Sequence, residues 1–130
     1  MKPMTAEWVA KAEEDFVVVE RESRARKNRA YSAIAFHAQQ CAEKNLKACL
    51  CQADREIPRI HHLCDLLDMV KDLVPEWELM REELRFLNNF AVICRYPGGT
   101  ANRQTALDAR KLCRSFRQAA RTSFGLKAKP

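Results

Sequence analysis

The chain has 130 residues, of which 47% are hydrophobic and 31% charged, and its net charge is +6. This size excludes a second core, so we predict one domain over residues 1–130, with a core over about 5–123 and a basic tail at 124–130. No apolar run is long enough to cross a membrane and no secretory signal opens the chain, which predicts a cytoplasmic protein without a membrane segment.

Helical periodicity runs through most of the chain, and no stretch alternates in the manner of a strand. The predicted helices cover residues 6–22, a second stretch that follows the basic segment 21–29 and ends near 52, a short stretch from 61 to before Pro75, residues 76–94, and a last stretch from 100 or 102 to about 123. Thr5 is the expected N-cap of the first helix. We therefore predict an all-α fold, an up-and-down four-helix bundle with one additional short helix.

Two of these helices carry residues that bear on packing. In the first helix Asp15 lies at the edge of the apolar face, where it is either an exposed, ion-paired carboxylate or a buried contact that fixes helix register. The fourth helix is expected to bury Leu79, Phe86, Leu87 and Phe90.

The predicted second helix has two different faces. Small and apolar residues form one face, suited to close packing against a neighbouring helix. The opposite face carries Phe36, Gln40, Glu43 and Lys47, with His37 and Lys44 alongside. This face is either a surface that binds a partner or a solvated face with one scattered aromatic residue.

The six cysteines, at positions 41, 49, 51, 64, 94 and 113, form no C-x-x-C pair and match no common zinc-ligand spacing. Cys49, Cys51 and Cys64 with His61 and His62 make one conceivable cluster. Free cysteines more often pack as small hydrophobic residues in a reducing compartment. We predict core packing, with no metal site, no disulfide and no cofactor.

Basic residues concentrate in two segments. Residues 21–29 contain five basic residues and one acidic one, and residues 103–130 contain eight basic residues and one acidic one. Five arginines form a stripe on the last helix, namely Arg103, Arg110, Arg114, Arg117 and Arg121. The stripe is either a site for nucleic acid or another acidic partner, or an ordinary solvated face.

Over about residues 8–120 the chain resembles HEPN domains, the helical domains of higher eukaryotes and prokaryotes associated with nucleotide-binding systems. The matching segments are WVAKAEEDF (8–16), FHAQQCAEKNLKA (36–48), PRIHHL (58–63) and RYP (95–97). The resemblance implies a helical bundle, usually a homodimer. It also implies pairing with a small nucleotidyltransferase in a toxin–antitoxin or mobile-element context.

The segments that match the family and the face of the predicted second helix together define the candidate binding residues. The candidates for ligand or partner binding are Phe36, His37, Gln40, Glu43, Lys44, Lys47, His61, Arg95 and Tyr96. A histidine on a helix face is more often a structural hydrogen-bonding group than a catalyst. Tyr96 either stacks on a base or packs over the turn.

Many HEPN proteins are metal-independent ribonucleases in which an arginine is followed, after four to six residues, by a histidine. Arg95 occupies the place of that arginine, but the positions for the histidine hold Thr100, Ala101 and Asn102. An asparagine cannot exchange a proton near neutral pH. We predict a non-catalytic homodimer that binds nucleotide, RNA or a nucleotidyltransferase partner. The alternative is a degenerate ribonuclease that uses Arg95 with Asn102 or with a histidine from elsewhere.

Overall fold

The computed structural model describes residues 1–127, apart from the side chain of Arg95, and this part of the chain is helical with no strand. The elements are α1 (Pro3–Ser23), α2 (Tyr31–Gln52), α3 (Leu63–Val70), α4 (Arg81–Asn88) and α5 (Arg103–Ser123), with short 3₁₀ helices at Pro75–Met80 and Ile93–Arg95. The prediction of an all-α fold is confirmed. Within residues 1–127, none of the helices has the length and apolar character needed to cross a membrane.

Helix α2 lies at the centre of the fold. Its end meets the start of α1, where the Lys2 backbone N–H donates to Gln52 Oε1 at 3.1 Å, so α1 and α2 run antiparallel. Its start meets the segment before α5, where the Ala101 N–H donates to Ser32 Oγ at 3.0 Å, so α2 and α5 run parallel. Thirteen of the 22 residues of α2 are buried, more than a single buried face would account for. Neighbouring elements therefore cover α2 on most sides.

The start of α1 differs from the prediction, whereas α2 ends at Gln52 as predicted. Helix α1 begins at Pro3, because proline suits the first position of a helix, where its missing N–H is not needed. The N-cap is Lys2, and the predicted cap Thr5 is instead buried in the first turn. Asn28 adopts a φ of +52° between the two helices, a conformation that asparagine tolerates better than most residues.

The predicted continuous helix over residues 76–94 is wrong. A 3₁₀ helix begins at Pro75, α4 follows, and a turn separates α4 from the second 3₁₀ helix. In a 3₁₀ helix residues three apart lie on the same side, so Trp77 and Met80 face inward while Leu79 is 85% exposed and not in the core. The bundle therefore has three long and two short α-helices, rather than four long ones and a short one. The short helix α3 starts at Leu63, two residues later than predicted, because His62 is its N-cap.

The core of α5 was predicted correctly. The residues expected to face inward are all buried, namely Ala106, Ala109, Cys113, Phe116 and Ala120. The rings of Phe116 and Trp77 make an edge-to-face contact with centroids 5.1 Å apart.

Four of the six cysteines are buried, and the pKa of Cys41 is raised well above its usual value by a hydrogen bond with Cys113 and by burial. A buried, neutral thiol acts as a small hydrophobic group, as expected.

An ion pair fixes the segment between α2 and α3 to the end of α3. Arg55 donates from Nη1 to the Met69 carbonyl at 2.7 Å and binds both carboxylate oxygens of Asp72, at 2.9 and 2.5 Å. The hydrogen bond with Arg55 lowers the pKa of Asp72 to about 2. This segment carries His61, so the ion pair contributes to placing a candidate site residue.

Asp72→Asn is expected to destabilise the protein at neutral pH but not in acid. A carboxyl group whose pKa is lower in the folded state stabilises the fold above its unfolded pKa of about 3.9. That contribution is lost as the pH falls through about 2, the folded value. Urea midpoints of the wild type and the variant should therefore differ at pH 7 and converge near pH 2. A difference that stays constant over this range would contradict the ion pair.

Candidate functional site

A buried carboxylate organises the polar residues at the middle of α2. Glu43 is 4% exposed, and its Oε2 accepts from Lys47 Nζ at 3.1 Å and contacts His61 Nδ1 at 2.9 Å. Its Oε1 accepts at 3.3 Å from the side-chain amides of Gln39 and Gln40. We call these five residues the Glu43 cluster. Every partner of the carboxylate is a donor or an imidazole, so its charge is compensated inside the fold.

Local structure brings the Glu43 cluster together in two ways. Residues four apart on a helix are neighbours, which places Gln39 and Lys47 on either side of Glu43. His61 comes from the non-helical segment before α3, and its backbone carbonyl accepts from Gln39 Nε2 at 3.0 Å. The His61 side chain is still 59% exposed. The cluster therefore joins a buried charge pair to one imidazole that solvent can reach.

A second buried carboxylate ties α1 to α2. Asp15 is 6% exposed, its Oδ1 lies 2.7 Å from His37 Nδ1, and its Oδ2 accepts from Lys44 Nζ at 2.6 Å. Of the two interpretations of Asp15, the buried contact is the one observed. The side chains of His37 and Lys44 thus contact α1, and their binding of a ligand or partner stays a prediction.

The exposed polar face predicted for α2 is therefore wrong for two of its four residues. Glu43 and Lys47 are buried, whereas Phe36 and Gln40 are partly exposed. Lys47 Nζ also lies 5.9 Å from the ring centroid of Trp8, so α1 covers this end of the face. Helical periodicity did identify Glu43 and Lys47 as a polar pair, but it missed Gln39, since the sequence does not distinguish a buried glutamine from an exposed one.

The loop before α5 is attached to the start of α2 by Ser32. Ser32 Oγ accepts from the Ala101 N–H, and the Ser32 hydroxyl also bonds to the thiol of Cys94. Burial raises the pKa of Cys94, and the bond with Ser32 offsets only part of this increase. The loop bends at Gly98, with a φ of +88°, and a Cβ at Gly99 would overlap the backbone of Ile93. Ser32 was not singled out from the sequence, because a lone serine at a helix start carries no specific signal.

Two residues of the predicted catalytic alternative lie around this loop. Asn102 is the N-cap of α5, and its Oδ1 accepts from the Thr105 N–H at 2.8 Å and from Thr105 Oγ1 at 2.9 Å. The amide oxygen of Asn102 is therefore used to cap the helix. The Arg95 side chain lies outside the described residues, so its predicted role stays a prediction. Tyr96 is 63% exposed, which disagrees with packing over the turn.

Four of the five stripe arginines on α5 pair with two glutamates of α1. The pairs are Arg110–Glu20 at 2.6 Å, Arg114–Glu20 at 3.5 Å, Arg117–Glu13 at 2.7 Å and Arg121–Glu13 at 3.3 Å. Arg117 is buried, its guanidinium lies 4.1 Å from the ring centroid of Phe16, and the hydrogen bond that it donates to Glu13 raises its pKa. We call this arrangement the α1–α5 seam. Its four cations exceed its two anions, so it keeps a positive charge while it holds the two helices together.

A second basic region forms at one end of the bundle. The end of α1, the start of α2 and the start of α5 meet around a small cavity, whose lining residues are Ser23, Arg29, Tyr31, Ile34, Arg103, Ala106 and Leu107. Arg24, Arg26 and Lys27 are exposed on the adjoining α1–α2 connection, and Arg103 is exposed at the start of α5. We call these four cations, with Tyr96 on the neighbouring loop, the basic end. Two segments that are far apart in sequence thus place positive charge in the same region.

Comparison with known families identifies the fold. The model of the HEPN domain matches residues 5–123, nearly the whole chain. The chain belongs to the HEPN family. Comparisons with curated proteins and with solved structures find no match. Membership in the HEPN family points to a function related to nucleotides or RNA.

The candidate residues of this HEPN domain fall into separate places. His61, Gln40, Glu43 and Lys47 belong to the Glu43 cluster, whereas His37 and Lys44 belong to the contact with Asp15. Most stripe arginines belong to the α1–α5 seam. Among residues 1–127, no three His, Cys, Asp or Glu side chains are grouped so that they could hold a metal ion.

Proposed function

We propose that this HEPN protein is a non-catalytic homodimer that binds RNA, or the phosphate groups of a nucleotide, at the basic end. The observation that carries the proposal is the contrast between two sets of cations. All four arginines of the α1–α5 seam are held by Glu13 or Glu20, whereas the four cations of the basic end form no ion pair in the described part of the chain. Unpaired, exposed cations can meet phosphates without first giving up a carboxylate.

The chemistry of the basic end suits a single-stranded nucleic acid. Lysine and arginine neutralise backbone phosphates and release counterions, which supplies affinity without sequence preference. Tyr96 is exposed in the loop that leads to Arg103 and α5, and an exposed aromatic ring offers a stacking surface for an unpaired base. The two interactions together favour RNA over a purely acidic protein.

The non-catalytic part of the proposal depends on the residues that follow Arg95. None of Thr100, Ala101 and Asn102 can act as a general acid or base. General acid–base catalysis contributes roughly 10²- to 10⁴-fold to the rate, and that contribution is missing here. The alternative, a degenerate ribonuclease that uses Arg95, predicts cleavage of RNA without added metal. That cleavage would be absent from Arg95→Ala.

A nucleotidyltransferase partner in a toxin–antitoxin setting stays a prediction of the sequence resemblance. The α2 face predicted to meet such a partner loses Glu43 and Lys47, which are buried. Of its four residues, only Phe36 and Gln40 stay partly exposed. RNA binding at the basic end is for this reason the better supported function.

Simultaneous replacement of Arg24, Arg26 and Lys27 by alanine is expected to weaken binding of a single-stranded RNA pool about 10- to 100-fold at low salt. Each lost phosphate contact also lowers the dependence of log affinity on log salt by about 0.7, so the slope should fall by about 2. Fluorescence anisotropy with labelled RNA at several salt concentrations measures both quantities.

A variant with Arg59, Lys71 and Arg85 replaced by alanine is the matched control. It loses the same charge from exposed positions outside the basic end, and it should keep most of the affinity. Equal losses in the two variants, or an affinity that salt does not change, would contradict binding at the basic end. The homodimer is tested on the same samples by light scattering, where we expect a mass near twice 15.0 kDa at micromolar concentration.

A further inference from the structure

A groove continues from the basic end along the surface of α1. It has a volume of about 680 Å³ and is lined between Glu13 and Arg24 by α1 and its C-cap, and by Arg117 of α5. Over this range the helix rises by roughly 16 Å, which is about three turns. Arg24 also belongs to the basic end, so the groove and the basic end share a cation.

The two carboxylates in the lining of the groove are already paired inside the fold. Glu20 accepts from Arg110 Nε at 2.6 Å, and Glu13 accepts from two nitrogens of Arg117 at 2.8 and 2.7 Å. Arg21 and Arg24 are exposed, and neither forms an ion pair within residues 1–127. The uncompensated charge of the groove is therefore positive, and it lies on these two arginines.

An exposed apolar side chain lies beside these cations. Val17 is 41% exposed, and it precedes Arg21 by one turn on the same helix. Proteins that bind single strands without sequence preference combine a positively charged groove, which follows the backbone, with apolar or aromatic surface for the bases. The groove has both components, and it adjoins the exposed cations of the basic end.

We propose that the groove binds the continuation of an RNA strand whose neighbouring phosphates are held at the basic end. This inference rests on the proposed RNA function and adds a substrate class to it, namely single strands long enough to reach from the basic end to Arg21. Arg21 donates to a phosphate of the continuing strand, and Arg24 lies where the two parts of the path meet. Arg114 is not in the lining and keeps its contact with Glu20.

The test compares two labelled oligouridines, of about 4 and about 12 nucleotides, a range typical of single-strand binding sites. Arg21→Ala in the full chain should weaken binding of the longer RNA about three- to tenfold at low salt and leave the shorter one within about twofold of the wild type. The slope of log affinity against log salt should fall by about 0.7 for the longer RNA alone, the value for one phosphate contact. Fluorescence anisotropy at several salt concentrations measures both quantities.

Val17→Lys tests the same path by a gain of affinity, which a damaged fold cannot produce. Val17 is exposed, so the longer side chain has room, and the added cation should strengthen binding of the longer RNA about threefold or more. The shorter RNA should respond by less than about twofold, since it does not reach this position.

Lys11→Ala is the matched control, because it removes an exposed cation of α1 that is not in the lining of the groove. Its affinity for both RNAs should stay within about twofold of the wild type. Equal losses for the two RNAs in Arg21→Ala, an unchanged affinity for the longer RNA in Arg21→Ala or Val17→Lys, or an equal loss in Lys11→Ala would each overturn the proposal.

The same measurements distinguish this proposal from the function on which it rests. If neither RNA binds the wild type, RNA binding itself is contradicted and the groove path with it. If the shorter RNA binds, loses affinity in the basic-end variant and the longer RNA ignores Arg21→Ala, the proposed function stands and only the groove path is overturned.

Discussion

Glu43→Ala is expected to lower the free energy of unfolding by about 3–5 kcal/mol, the largest effect of any single polar substitution that we predict. The Lys47 side chain is 7% exposed and loses the carboxylate that holds it at 3.1 Å. An uncompensated buried ammonium group costs more than the pair itself contributes, because water cannot replace the lost partner. His61 loses its Nδ1 contact in the same variant. Urea unfolding followed by circular dichroism measures the loss.

Two further variants separate the charge pair from simple loss of packing. Replacing Lys47 by methionine in the Glu43→Ala background removes the stranded charge and should recover a substantial part of the loss. Glu14→Ala removes an exposed carboxylate of α1 and should stay within about 0.5 kcal/mol of the wild type. A loss of less than 1 kcal/mol for Glu43→Ala would show that Lys47 reaches water or another acceptor.

Arg117→Ala should cost about 2–3 kcal/mol, while Arg114→Ala on the same stripe should cost about 0.5 kcal/mol or less. Arg117 has a side chain 7% exposed, binds Glu13 through two nitrogens at 2.8 and 2.7 Å, and stacks on Phe16. Its replacement removes packing as well as charge. We place the value below that of a fully buried pair because Glu13 is 29% exposed and keeps Arg121. Thermal and urea unfolding of the two variants provide the comparison.

Arg114 is the informative control because its side chain is 45% exposed and lies 3.5 Å from Glu20. Arg114 belongs to the α1–α5 seam and lies outside the basic end, so Arg114→Ala should leave both the RNA affinity and the stability close to those of the wild type. The opposite pattern, a stable Arg117→Ala and an unstable Arg114→Ala, would contradict the α1–α5 seam.

The agreement between sequence and structure is best where a helix has one strongly apolar face. The five inward residues predicted for α5 are buried, and the start of α5 follows from the capping preference of asparagine at position 102. The prediction for residues 75–95 was wrong for a local reason. A proline start and the inward rotation of Trp77 favour a 3₁₀ turn, and the 3.6-residue period then assigns Leu79 to the wrong side.

The candidate site was predictable in its residue types but not in its exposure. Periodicity specifies the angle of a side chain about the helix axis, and it contains no information on which element covers that angle. For Glu43 and Lys47 the covering elements are the segment that carries His61 and the helix that carries Trp8. Both contacts join residues that are far apart along the chain.

The amino-acid sequence by itself determined the helical class of this protein, its membership in the HEPN family and the lack of a histidine within reach of Arg95 along the chain. These properties depend on residue type and local spacing, which folding does not alter. Only the tertiary structure decided that Asp15 and Glu43 are buried with their partners, that α1 holds most of the arginine stripe, and that two basic segments meet at one end of the bundle. The physical reason is that the free energy of a charge depends on its neighbours in space, and long-range packing selects those neighbours.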